Sequence, residues 1–261
     1  MKKLMYCILG LACLLGLTAC GAPMQSGSHT HVFEEETLAA ADLYHRKLVY
    51  TGTCTSCGAE QTREVDAQNF RCNGFFLFTP EELETALKQR LSDDHAGWEL
   101  TFTESRYDGQ NSEGPIEECK IYTLSREDTH CTLVLYCATE QGQKLAARNG
   151  YVPVSPTRSV ARLEVRLLQS HSGSLQPPEL EQEDLDVLFP LIGLCKPEAD
   201  AVTVIAGLLD SLGTKKDPQQ YYCVDMDTYE DLYLLEAKQI RGTQTFDYYS
   251  CYLLPGNDKT T

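Results

Sequence analysis

Apolar and polar residues follow different rhythms along the chain, and each rhythm predicts an element. After Thr79-Pro80-Glu81-Glu82, the apolar residues Leu83, Ala86, Leu87 and Leu91 recur at helical spacing. Thr79 suits an N-cap, and Pro80 suits the first turn because its missing amide hydrogen has no helical acceptor there. Glu82 completes a capping box and Phe78 can staple onto Leu83, so a helix is expected from Thr79 to about Leu91. A period of two takes over where Trp98, Leu100 and Phe102 alternate with Glu99, Thr101 and Thr103. It returns where Arg162, Glu164 and Arg166 alternate with Leu163, Val165 and Leu167, a half-buried strand. Residues 119–125 and 129–137 read as a hairpin about Arg126-Glu127-Asp128, with Cys131, Leu133, Leu135 and Cys137 on one face. Further strands are expected at 221–224, 231–240 and 246–254. The apolar stretch 185–194 predicts a short helix kinked at Pro190. Residues 197–213 predict another helix, although 201–205 also suits a strand.

Glycine and proline mark the interruptions. Gly109, Gly114 and Pro115 make 105–118 a polar loop, and Gly142, Gly150, Pro153 and Pro156 make 139–160 another. Pro177-Pro178 within 170–182 is the seam between two stretches, 79–168 and 185–254, that each run helix then strands. Strands joined by turns, without regular helical crossovers, argue for an α+β fold with an antiparallel sheet and packed helices in a body spanning 74–261.

The first residues have another character. Lys2 and Lys3 precede a mostly apolar run over 5–17, the pattern of a secretion signal and too short for a mature membrane span. It ends Leu17-Thr18-Ala19-Cys20, which resembles the lipobox of bacterial lipoproteins. The resemblance implies cleavage of 1–19, lipidation of Cys20 and a cell-membrane location facing the extracytoplasmic side. Acyl chains buried in the bilayer would then hold the protein there. An ordinary signal with a chance Cys20, or an uncleaved membrane helix, are the alternatives. The small polar residues that follow, within GAPMQSGSHT, suit a flexible tether over 20–28.

Charge narrows the partners. The formal net charge is −16, and loss of Lys2 and Lys3 with the signal brings it to about −18. Such a surface repels nucleic acid and anionic headgroups, so no nucleic-acid partner is expected. Of twelve cysteines, Cys7 and Cys13 leave with the signal and Cys20 takes the lipid. Nine remain, an odd number that cannot all pair within one chain. Cys131 and Cys137 are expected as buried small hydrophobes, too far apart along one strand face to bond to each other.

Two of the nine stand in Cys54-Thr55-Ser56-Cys57-Gly58. Upstream lie His29, His31, Val32, Phe33 and His45, and downstream lie Arg63-Glu64-Val65 and Cys72. Residues 29–73 resemble the short cysteine-containing repeats of bacterial surface proteins, which open with a histidine beside an aromatic and reach a CT-x-CG turn. The resemblance implies a small zinc-ribbon-like hairpin module, with the family's middle cysteine and closing histidine missing here. Two thiolates two residues apart can grip one tetrahedral zinc, and the glycine lets the backbone turn beneath them. His31 or His45, with Cys72, are the candidates to complete one structural zinc site. A local disulfide, free thiols or a redox pair remain open, although a turn and return strand suit the residues after Cys57 better than a redox-active helix does.

No phosphate-binding glycine loop, HExxH or GxSxG motif occurs in the chain. His95 beside Asp93 and Asp94 reads as a turn, His171 as a loop residue and Asp225 to Asp231 as a solvated acidic turn. Tyrosines gather late, and Tyr248 and Tyr252 are candidates for a contact surface. The expectation is a membrane-anchored extracytoplasmic binding or structural lipoprotein, its partner an envelope protein, peptide or glycan. The alternative is a surface-tethered hydrolase with an acidic site, for which Glu104 and Asp108 are the candidates.

Overall fold

The computed structural model of the chain describes residues 32–72, 75–94, 97–112, 114–148, 160–168, 179–197, 199–214, 232–239 and 245–255. The expected lipid site Cys20, the tether, His29, His31, His95, His171, strand 221–224 and the acidic run from Asp225 lie outside them.

Three strands open the described chain: β1 (Phe33–Asp42), β2 (Lys47–Cys54) and β3 (Glu60–Asp66), an antiparallel meander in that order. A short ribbon follows, β4 (Arg71–Cys72) with β5 (Phe75–Phe76). Helix α1 (Pro80–Asp93) then begins as its sequence requires. Thr79 Oγ1 accepts from the Glu82 amide at 3.2 Å, and Glu82 Oε2 accepts from the Thr79 amide at 2.8 Å. The other Glu82 oxygen accepts from the Ala41 amide on β1 at 3.0 Å. One capping carboxylate thus satisfies orphan helix donors and ties the meander to the body.

The rest of the described chain is β6 (Glu99–Asn111), β7 (Gly114–Arg126), β8 (Thr129–Ala138), α2 (Glu140–Arg148), β9 (Val160–Leu167), a 3-10 turn at Gln182–Leu185, α3 (Leu188–Cys195), α4 (Ala201–Thr214), β10 (Leu232–Gln239) and β11 (Phe246–Leu254). The strands β6 to β11 form one antiparallel sheet, ordered β10-β11-β9-β8-β7-β6. Helices α1, α3 and α4 share its apolar core through Leu83, Leu87, Leu191, Ile192, Ile205 and Leu208, which meet Leu124, Leu133, Leu163, Val165, Cys251 and Leu253. The expected α+β class and antiparallel sheet are present.

Four local expectations are corrected. Residues 105–118 are not a loop but the arms of the β6–β7 hairpin, whose ladder runs from Glu99↔Ser125 to Asn111↔Gly114. Backbone pairing makes this strand, and the polar side chains that suggest a loop reflect the exposure of β6 at the sheet edge. Residues 140–148 of the second expected loop are helix. Thr139 caps it, accepting from the Gly142 amide at 3.1 Å and donating to the carbonyls of Pro115 and Ile116. Gly142 is not a breaker here, because a Cβ at that position would sit 2.4 Å from the Ile116 carbonyl oxygen. Pro190 does not kink its helix. With Val187 as N-cap it occupies the first turn, where its missing amide hydrogen breaks no helical bond. The helix expected from Pro197 starts at Ala201, and its alternative strand at 201–205 is helical.

Cys131 and Cys137 are buried in the core, as are Cys195 and Cys251, and all four are free thiols. Burial pushes Cys131, Cys137 and Cys251 up to about 12, so they remain protonated small hydrophobes.

The close approach at Gly142 carries a test. Gly142→Ala should destabilise the protein by about 1–2 kcal/mol, because crowding a backbone oxygen outweighs the usual helical advantage of alanine. Denaturant unfolding measures it, and equal or greater stability would show that α2 can lift off β7 without cost.

Candidate functional site

Two places in the fold gather chemistry. The first is the CxxCG turn between β2 and β3. Cys54 ends β2, its amide donates to the Ala59 carbonyl at 2.8 Å, and the Gly58 amide donates back to the Cys54 carbonyl at 2.8 Å. Gly58 supports the turn with a φ of +72°, the left-handed region that favours glycine. The chain returns directly into β3, so Cys54 and Cys57 stand on a hairpin and not at the start of a helix. Cys54 is buried and Cys57 half-buried. Strand β1 starts beside the turn, with Phe33 paired to Cys54 and the Thr55 amide 3.3 Å from the Val32 carbonyl.

Of the other metal candidates, the described residues His45 and Cys72 are not gathered there. His45 lies in the β1–β2 turn, exposed, with its ring nitrogen 2.8 Å from Asp42. The length of β2 separates it from Cys54, roughly 25–30 Å at the rise of an extended chain. Cys72 lies in β4, five residues beyond Ala67, whose amide donates to the Arg46 carbonyl at the His45 end. Five extended residues reach at most about 18 Å, short of the turn. Among the described residues no group of three or more His, Cys, Asp or Glu side chains is set to hold a metal. The turn supplies two of the four donors a structural zinc needs.

The second place is the sheet face turned away from α1, α3 and α4. Its centre is Glu164 on β9, read from its alternation as part of a half-buried strand but only 1% exposed. Tyr136 on β8 donates its hydroxyl to Glu164 at 2.6 Å and Ser250 on β11 donates at 2.5 Å. Arg166 donates at 2.9 Å, and the Tyr252 hydroxyl lies at 3.4 Å. Burial alone would raise the Glu164 pKa, but the hydrogen bonds from Arg166, Ser250 and Tyr136 outweigh it and hold the carboxyl below its ordinary range. Burial, followed by the bond to Glu164, raises the Tyr136 phenol, so it stays a donor. Arg166 loses some basicity to burial and regains more from Glu164.

A second ion pair extends the row. Arg162 reaches Glu117 on β7 through two parallel bonds of 3.1 and 2.9 Å, and its guanidinium lies 3.9 Å from the centre of the Tyr136 ring. The Arg166 guanidinium lies 5.1 Å from the Tyr248 ring. Two arginines and two glutamates on β7 and β9 thus neutralise one another, with Tyr136 of β8 and Tyr248 and Tyr252 of β11 beside them. Tyr248 and Tyr252, the expected contact residues, are half-buried, on the same face and fixed by this row.

The row frames a surface and offers no exposed nucleophile at its centre. The Ser250 hydroxyl is fully buried. Cys119 on the same face is also fully buried, and burial followed by the charges of Asp108 and Glu117 raises its thiol. Glu104 and Asp108 do not flank a loop. Both lie exposed within β6, opposite Ile121 and Glu117. A groove of about 790 Å³ also lies between the β1–β2 turn and α1, floored by Ala40, Leu43, Val49 and Ala86 and rimmed by Asp42, Glu81 and His45.

Comparisons with protein families, with curated proteins and with solved structures find no match for this chain.

Sequence alternation marks Arg162, Glu164 and Arg166 but not which of them is sealed. The signals that complete the site, Tyr136 and Ser250, stand 28 and 86 residues away.

Glu164→Gln should destabilise the fold by about 3 kcal/mol, because it leaves the Arg166 charge buried beside a neutral amide. The pH dependence has a definite sign. A carboxyl whose folded pKa lies below its unfolded value contributes stability that is whole above the unfolded value and is lost as pH falls through the folded one. Denaturant unfolding from pH 7 downward should therefore show a shallower acid loss in Glu164→Gln than in the parent. Parallel curves would show that folding does not shift the Glu164 pKa.

Proposed function

We propose that this protein is a lipid-anchored extracytoplasmic lipoprotein whose body is a binding or structural module for an envelope protein, peptide or glycan. The binding reading is carried by one observation: the sheet face turned away from α1, α3 and α4 sets Arg162, Arg166, Tyr248 and Tyr252 in one row, Arg162 held by Glu117 and Arg166 by the buried Glu164. Tyrosine rings and arginine forks already immobilised lose little entropy on contact, which is what recognition surfaces require. The anchor rests on the Leu17-Thr18-Ala19-Cys20 quartet after its apolar run.

Protein taken from its native membrane should have lost residues 1–19 and gained acyl mass at Cys20, as read by intact mass spectrometry. An unacylated chain ends the anchoring reading. Paired Tyr248→Ala and Tyr252→Ala changes should remove a partner that co-purifies from the native envelope with the parent. An unchanged set of partners ends the reading of this face.

A structural zinc at the CxxCG turn belongs to the same proposal. Cys54 and Cys57 would hold it, and the contact between Thr55 and Val32 favours His31, one residue before Val32, over the distant His45. Protein purified without added metal should contain about one zinc per chain. Cys57→Ser should lose it and His45→Ala should keep it. Metal-free parent protein, or loss of metal in His45→Ala, overturns the assignment.

A further inference from the structure

Strand β6 closes one edge of the six-stranded sheet and pairs, among the described residues, only with β7. It is thirteen residues long, and residues 101–109 are all exposed. Side chains of both faces are exposed there, and among the described residues no strand pairs with the outer row of backbone donors and acceptors. An edge of that length invites another strand unless something blocks it. The usual block is like charge meeting like charge when the edge faces a second copy of itself. Here the charges do the reverse.

Arg106 and Asp108 lie two residues apart and so on one face, with Tyr107 between them on the other. Tyr107 is 67% exposed. Cross-strand neighbours leave these charges unbalanced. Arg106 stands opposite Cys119, and Asp108 stands opposite Glu117, a carboxylate already committed to Arg162. We propose that β6 is a self-complementary edge at which two copies of this chain pair antiparallel about a two-fold axis through Tyr107. In that register Arg106 faces Asp108 of the second copy, Asp108 faces Arg106 of the second copy, and the two Tyr107 rings lie side by side. Ser105 meets Gly109, which brings no side chain.

The neighbouring registers fail on charge or on geometry. Centring on Arg106 sets guanidinium against guanidinium, and centring on Asp108 sets carboxylate against carboxylate. Centring on Ser105 pairs Glu104 with Arg106 but draws in the irregularity between Phe102 and Glu104, and it leaves Asp108 against Phe102. The Tyr107 register uses residues 104–110, beyond that irregularity, and bends at Gly109, whose φ is +66° and whose amide donates to Asp108 at 2.9 Å. The inference does not depend on the lipid anchor or on the contact role of Tyr248 and Tyr252.

The full chain in detergent tests it by sedimentation velocity over a range of concentrations. The parent should dimerise reversibly. Arg106→Asp should weaken the dimer by about tenfold or more, since both cross pairs become repulsive. Combining Arg106→Asp with Asp108→Arg should restore it, because the exchanged charges again meet their opposites in this register alone. Mild oxidation of Tyr107→Cys should give a peptide cross-linked between the two 107 positions, identified by mass spectrometry, and Thr101→Cys should give none. Exposed positions keep these variants folded, and far-UV circular dichroism verifies it. A monomer at every concentration overturns the proposal, as does a dimer indifferent to Arg106→Asp or a loss that the charge exchange does not repair. A β6 edge that pairs only with a different envelope polypeptide also overturns it.

Discussion

The buried carboxylate of Glu164 is the constraint around which the sheet is organised. A six-stranded sheet has two faces, and the described helices that share its core cover one. The second face carries Cys119, Ile121, Val134 and Tyr136, all buried, beside three charged residues of β9. Removing an ionised carboxylate from water costs several kcal/mol unless other charges and donors replace the water. Here every replacement comes from a different strand or from the next residue on the same face: Tyr136 from β8, Arg166 from β9, and Ser250 from β11. The carboxylate therefore fixes the lateral order of three strands by side chains as well as by their ladders. It also fixes Tyr248 and Tyr252, since one ring lies against the Arg166 guanidinium and the other hydroxyl points to Glu164.

The apolar face follows a different logic. Its packing is area burial by leucine, isoleucine and valine, which is non-directional and tolerates rearrangement. Direction enters through Glu82, which serves the helix N-terminus with one oxygen and the backbone of β1 with the other. Helix α1 is consequently the joint between the meander and the body. Ala41, Leu43 and Leu48 enter the same core as Leu83 and Leu87 from that side. Among the described residues, the body thus holds the meander at the end with the β1–β2 turn.

Local signals in the sequence were sufficient where an element is decided locally. The Thr79–Glu82 box, the turn at Arg126 to Asp128 and the alternation of β9 all lie within a few residues, and each element forms where its signal stands. The polarity of β9 is not local. Whether Glu164 faces water or a sealed network depends on Tyr136 and Ser250, which no periodicity of 162–167 can reveal. The second half of β6, from Ser105 onward, was legible only as loop, because a strand exposed on both faces has no apolar alternation to display. Gly142 misleads for the opposite reason: it reads as a breaker, yet it is the residue that lets α2 lie against the Ile116 carbonyl. At the metal candidates, nearness in sequence hid distance in space, since His45 and Cys54 bracket one straight strand.

The meander then relates the two ends of the proposed lipoprotein. Val32 lies beside Thr55 at the CxxCG turn, so the chain arriving from Cys20 joins the fold at the end of the meander remote from α1. The meander spans roughly 25 Å, at the rise of an extended strand, from the CxxCG turn to the end that α1 holds. A meander held at one end by Glu82 must resist splaying of its strands at the other, the β2–β3 turn. That requirement gives a structural, non-catalytic reason for cross-linking chemistry at Cys54 and Cys57. A metal or a covalent bridge there would clamp the β2–β3 turn, while Glu82 holds the opposite end.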